Sequence, residues 1–212
     1  MRIYIAGINH NDPLSRIELI EWMKDIAKHE KMSPVFIAPE WKEEYFNLVK
    51  EQREEFDRRV RSEWPLLTEK QIESITLSLG YEGDAHKEVF GELTVLWLDQ
   101  ERNADRSVKD FYKFRFQNLR NWAQEIDQNE NFVTMLSKVI RGTQSVSVKT
   151  NPSIDPGRDA AFHQVINNEC SPYSLGWAMI VVGVIHSLST RGSMRNLLEI
   201  EGYQCIVKDL SV

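Results

Sequence analysis

Near the end of the chain, Trp177-Ala178-Met179-Ile180-Val181-Val182-Gly183-Val184-Ile185-His186 forms a near-continuous apolar run that breaks at a glycine. A histidine follows three residues later. A run this short and this rich in β-branched residues reads as a strand buried on both faces. The first residues repeat the design, with Arg2-Ile3-Tyr4-Ile5-Ala6 leading into Gly7-Ile8-Asn9-His10. A strand buried on both faces needs a layer on each side, which points to an α/β fold. Glycine is expected to let the backbone turn off the strand and bring each imidazole to the sheet's carboxyl edge. Ligands bind at that edge in open α/β sheets. The competing reading is that each histidine only caps its strand through hydrogen bonds.

The remaining elements follow from periodicity and punctuation. Asp12 and Pro13 start a helix carrying Leu14, Ile17, Ile20, Met23 and Ile26, which runs to about residue 31. Val35-Phe36-Ile37-Ala38 is a second strand, parallel to the first by the strand–helix–strand rule. It ends at Pro39-Glu40, so Glu40 occupies the strand-end position that the histidines occupy in theirs. Helices are expected from Trp41 to about Arg61 and from Thr68, where Gln71 completes a capping box, to Gly80. The mixed charges of the first of these read as a solvated face. Residues 81–91 carry no clear period, and His86 within them reads as a solvent-facing residue.

A third strand, 93–98, ends at Asp99. Ser107 and Asp110 open a long helix, and a second helix from about 131 to 141 closes at Gly142. Gln144 to Lys149 alternates like an edge strand. Asn151-Pro152 and Asp155-Pro156-Gly157 mark a loop. A helix starts at Arg158, the His186 strand follows, then a helix with Met194, Leu197 and Leu198, and a last strand from Tyr203 to Val207. The architecture expected is one α/β domain over residues 1–212. It has a mostly parallel sheet of about five strands flanked by helices, with a helical cap from about 41–91 and 107–141. The strands ending in His10 and His186 should be neighbours or nearly so.

The chain has 212 residues and a net charge of −6, which argues against a general nucleic-acid partner. No charged start leads into a long apolar segment and no stretch approaches a membrane span, so a cytoplasmic protein without a membrane segment is expected. Cys170 and Cys205 match no zinc or redox spacing and read as buried thiols.

Gly7-x-x-His10, Glu40, Arg158-Asp159-Ala160-Ala161 opening a helix, and Gly183-x-x-His186 together resemble the TraB/Tiki superfamily, which includes the pheromone-shutdown, Wnt-inactivating and erythromycin-esterase-like groups. The ending, with Leu197-Leu198 and Gly202-Tyr203, is also similar. The chain departs from that pattern at Gly157, after Glu40, and at Ser187-Leu188-Ser189. Members are described as metal-dependent peptidases, as metal-independent esterases and as proteins without activity, so the resemblance implies a site more than a reaction. The start, Arg2 to Gly7, also resembles nucleoside deoxyribosyltransferases.

The expectation is a hydrolase acting on a small-molecule or peptide substrate through an ester or peptide bond. His10, Glu40 and His186 can hold a divalent metal ion with open positions for water. Asp99 can complete the shell or orient a histidine. Without metal, a histidine or Glu40 acts as general base and Arg158 stabilises negative charge. The alternatives are a non-catalytic protein that binds an anion or nucleotide at the same edge with Arg191, and a homo-oligomer whose cap is a partner surface over an inactive site.

Overall fold

The computed structural model describes residues 1–78, 81–99, 104–150, 155–170 and 176–211. Four strands, β1 (Arg2–Ile8), β2 (Ile37–Pro39), β3 (Trp177–Gly183) and β4 (Gln204–Asp209), form an all-parallel sheet in the order β2-β3-β1-β4. The two central strands are the two apolar runs, paired from Arg2↔Trp177 to Ile8↔Gly183. A strand with a partner on each edge and a helix layer on each face has nowhere to place a polar residue, hence the continuous apolar character.

The expected strand at 93–98 runs beside β2 as an extended segment. Ile37 N donates to Thr94 O, Leu96 N to Ile37 O and Leu98 N to Pro39 O, at 3.0, 2.8 and 3.1 Å. Only Ile37↔Val95 forms a full parallel bridge, which makes the sheet four strands plus this edge segment.

Helix α1 (Ser15–His29) packs Leu19, Ile20, Met23 and Ile26 on one face of the sheet, against Tyr4, Ala6, Trp177 and Met179. Further along the chain come α2 (Glu43–Glu51), α3 (Arg53–Glu63), α4 (Glu69–Leu77), α5 (Lys87–Phe90), α6 (Ala104–Ala123), α7 (Phe132–Thr150) and α8 (Pro156–Cys170). After β3 come α9 (Val184–Ser187) and α10 (Met194–Ile200). Helices α8 and α10 cover the opposite face of the sheet with Phe162, Ile166, Met194 and Leu198 against Ile3, Ile5 and Ile180.

A separate core joins α2, α3, α4, α6 and α7 through Val49, Phe56, Val60, Ile72, Ile75, Leu119, Phe132 and Ile140. This helical layer is tied to the carboxyl end of β1. Arg115 on α6 bonds the His10 and Ser78 carbonyls, and Arg141 on α7 donates to Asp12 Oδ2 at 2.5 Å.

Several expectations need correction. The helix from Trp41 is two helices with a break at Gln52. Residues 144–149 continue α7 as helix, and Gly142 lies inside it, not at its end. A lone glycine costs a helix about 1 kcal/mol but does not stop it when both sides favour the helix. Helix α6 already begins at Ala104, upstream of Ser107, and Gly80 lies outside the described residues. Tyr81 and Ala85 pack with the sheet and α1, not with the cap. His86 is buried, and both ring nitrogens lack hydrogen-bond partners among the described residues. The capping box at Thr68–Gln71 is present as read. Burial pushes the Cys170 thiol up to about 12 and that of Cys205 to about 11, so neither is a ready nucleophile.

Candidate functional site

The parallel register of β1 and β3 brings both histidines to one edge, and β2 brings Glu40 to it. Glu40 N donates to Val181 O at 2.9 Å and Asp99 N to Glu40 O at 3.0 Å, so the two acids end adjacent chains. The two Gly-x-x-His copies differ locally. His10 follows β1 in a turn, while His186 lies within the helical turn α9.

Neither glycine is there for its torsions, because among the described residues the glycines with positive φ are Gly91, Gly176, Gly192 and Gly202. They are there for space. A Cβ on Gly183 would lie 3.2 Å from Glu40 Oε2 and 3.3 Å from His10 Nε2, and one on Gly7 would lie 2.3 Å from Ser187 Oγ.

Glu40 is the hub. Its Oε1 accepts from Arg158 Nη2 at 2.7 Å, and its Oε2 accepts from Gly183 N at 2.5 Å and from His10 Nε2 at 3.2 Å. Burial alone would raise its pKa, but the imidazolium of His10, with His186 and the Arg158 guanidinium beside it, outweighs that and holds the carboxyl well below the usual range. His10 Nδ1 donates to Glu82 Oε1 at 2.8 Å. Both ring nitrogens thus face carboxylates, which fits an imidazolium. Burial opposes that charge, yet Glu82 and Glu40 prevail and raise His10 to about 10. The ring lies 5.6 Å from that of Trp41.

His186 is held differently. Its Nδ1 donates to Asp159 Oδ1 at 3.1 Å, an oxygen that also accepts from Met194 N at 2.7 Å. Its Nε2 lies 3.3 Å from Arg158 Nη1 and 3.8 Å from Glu40 Oε1. A guanidinium can only donate, so Nε2 accepts and the ring proton sits on Nδ1, a tautomer assigned from its partners. Arg158 Nη2 is shared with Asp99 Oδ2 at 2.7 Å. Arg158 comes from the first turn of α8, where Pro156 opens the helix and Asp155 Oδ1 accepts from Arg158 N at 3.1 Å.

His10, Glu40, Arg158 and His186, all expected from the sequence, therefore meet in one cluster with Asp99 and Asp159. Arg191 is exposed and outside it. The amides near Arg191 that an anion would use are taken: Gly192 N donates to Asn196 Oδ1, Asn196 N to Ser193 Oγ, and Met194 N to Asp159.

Glu82 and Arg115 also reach His10, and no sequence motif marks either of them. Glu82 sits in a short 3-10 turn, Tyr81–Gly83, that carries no periodic signal. The one local clue is Gly83, where a Cβ would lie 2.6 Å from the Phe46 ring, so the glycine lets the turn nest beneath α2.

Each histidine has the carboxylate behind Nδ1 that metal-ligating histidines commonly have. However, the guanidinium of Arg158 touches both His186 Nε2 and Glu40 Oε1, and His10 Nε2 is bonded to Glu40. A dication would have to sit against the Arg158 guanidinium. Among the described residues no three His, Cys, Asp or Glu side chains are placed to hold a metal ion. In this arrangement the residues do not fit a metal centre.

No protein-family model, no curated protein and no solved structure matches the chain. No helix among the described residues is long and apolar enough to cross a membrane.

Proposed function

We propose that the protein is a metal-independent hydrolase of carboxylic esters, of the esterase kind within the TraB/Tiki likeness. The observation that carries this reading is the row Asp159–His186–Arg158, an orienting carboxylate, a neutral imidazole, and a cation 3.3 Å from the imidazole's Nε2 lone pair. A general base, its orienter and an oxyanion partner in sequence are the working parts of acyl hydrolysis.

Glu40 is the weaker base, because its neighbours stabilise the carboxylate and both oxygens are engaged. Its part is to anchor Arg158 and His10. In the reaction Arg158 shifts enough to admit a water against His186 Nε2. The water oxygen bonds to the ester carbonyl carbon and its proton passes to Nε2, while Asp159 stabilises the imidazolium through Nδ1–H. Arg158, whose side chain is 24% exposed, faces the oxyanion, and the charge of His10 lies beside it. The tetrahedral intermediate then breaks its bond to the alcohol oxygen. That oxygen takes the proton from Nε2, which leaves a carboxylic acid and an alcohol.

The test is hydrolysis of short-chain aryl esters by the full chain, with metal analysis before any chelator. Turnover should survive chelation with no stoichiometric ion present, and His186→Ala should lose about 10²–10⁴-fold in kcat while remaining folded by circular dichroism. One tightly held ion per chain, or activity lost on chelation, would overturn the metal-independent reading. A protein that binds esters without turning any over would support the binding-protein alternative instead.

A further inference from the structure

A groove of about 770 Å³ lies beside the cluster along α8, lined by the apolar Leu98, Phe162 and Val165 and by the charged Asp99, Asp155 and Arg158. Its size suits a drug-sized molecule. Its charge is the informative property. Among the described lining residues, Arg158 is the one cation, and its Nη2 is already shared by Glu40 and Asp99. Asp155 is exposed, and its carboxylate forms no ion pair among the described residues. Among the described residues its Oδ1 accepts only the Arg158 backbone N–H. The positive end of α8 is likewise answered by Asp155, whose carbonyl takes Asp159 N at 2.9 Å. Among the described residues the groove therefore offers no cation free for an anion, and one exposed carboxylate without an ion pair.

We propose that this groove holds the body of the substrate, and that the substrate is an apolar ester bearing an ammonium group, not a carboxylate or phosphate. The proposal deepens the hydrolase reading and rests on it. An apolar chain lies over Leu98, Phe162 and Val165 with its carbonyl at Arg158, and its ammonium reaches the Asp155 carboxylate.

Three 4-methylumbelliferyl esters of matched length test it on the full chain: the hexanoate, the mono-adipate and the 6-aminohexanoate. The ammonium ester should exceed the carboxylate ester in kcat/KM by on the order of tenfold or more, a gap set by opposite signs of one charge interaction. In Asp155→Asn, which keeps an oxygen to cap α8, that ratio should shrink several-fold. A carboxylate ester used as well as the ammonium ester, or a ratio untouched in D155N, would overturn the proposal. If none of the three is hydrolysed, the hydrolase reading fails, and calorimetric binding of 6-aminohexanamide against adipic monoamide judges the groove alone. Tighter binding of the amine supports the groove's preference, and equal or reversed binding overturns it.

Discussion

His10 stands between two buried carboxylates, and that position decides what it does. A neutral imidazole could donate to one of them and would leave the other facing a lone pair. As an imidazolium it satisfies Glu40 and Glu82 together, at 3.2 and 2.8 Å. Glu82 is buried at 1% exposure, and its Oε2 has no partner among the described residues, so its charge is directed mainly at His10. Replacing Glu82 by Gln keeps the shape and removes that charge. The His10 pKa, followed by NMR of the ring nitrogens, should fall from about 10 by roughly 1–3 units, the size of effect one close opposite charge produces. An unshifted titration would mean that Glu40 alone sets the state of His10.

At the scale of elements, the two glycines are spacers between β1, β3 and α9. Gly7 lies inside β1, where it pairs with Val182, and its missing side chain leaves room for Ser187 of α9. Ser187 Oγ in turn donates to Val184 O at 2.7 Å and closes the turn that carries His186. A Gly7→Ala methyl would press on Ser187 Oγ and, at 3.2 Å, on the Val184 backbone. Overpacking of this kind typically costs about 1–3 kcal/mol. Adding Ser187→Ala removes the nearest atom of the clash, so the double variant should recover part of the loss in denaturant unfolding. Strictly additive effects would show that the two residues do not press on each other.

For the whole molecule, the cluster ties stability to pH through two groups of opposite sign. His10 is raised from 6.5 to about 10 in the folded state, so its stabilisation is complete below about pH 6.5 and is lost as pH climbs through 10. Glu40 is held well below its ordinary 4.5, so its stabilisation is complete above about pH 4.5 and is lost as pH falls through its folded value. Together they give most support near pH 5–6.5 and a decline toward pH 10. Urea unfolding at pH 5.5, 8 and 10 should show that alkaline decline in the parent, and His10→Gln should flatten it. Equal slopes in the two proteins would place the alkaline sensitivity elsewhere.

Short-range chemistry determined much of this protein. The strands that end in His10 and His186 were legible because a strand buried on both faces leaves an unbroken apolar run. Their shared edge followed from their shared construction. Glu40 was legible as the acid at the end of the neighbouring strand, and the Thr68–Gln71 cap as a local motif. Tertiary structure decided what depends on contacts between distant residues. The stretch 144–149 alternates like a strand yet continues a helix, because alternation over six residues carries too little preference to oppose a helix already under way. Gly7 and Gly183 looked like turn residues, but neighbours far along the chain made them spacers. Glu82 reached His10 only through a 3-10 turn packed beneath Phe46. Arg158 lies among the donors that, read from the sequence alone, are free to bind a metal. The charge each group carries is set by such partners, and a sequence does not display them.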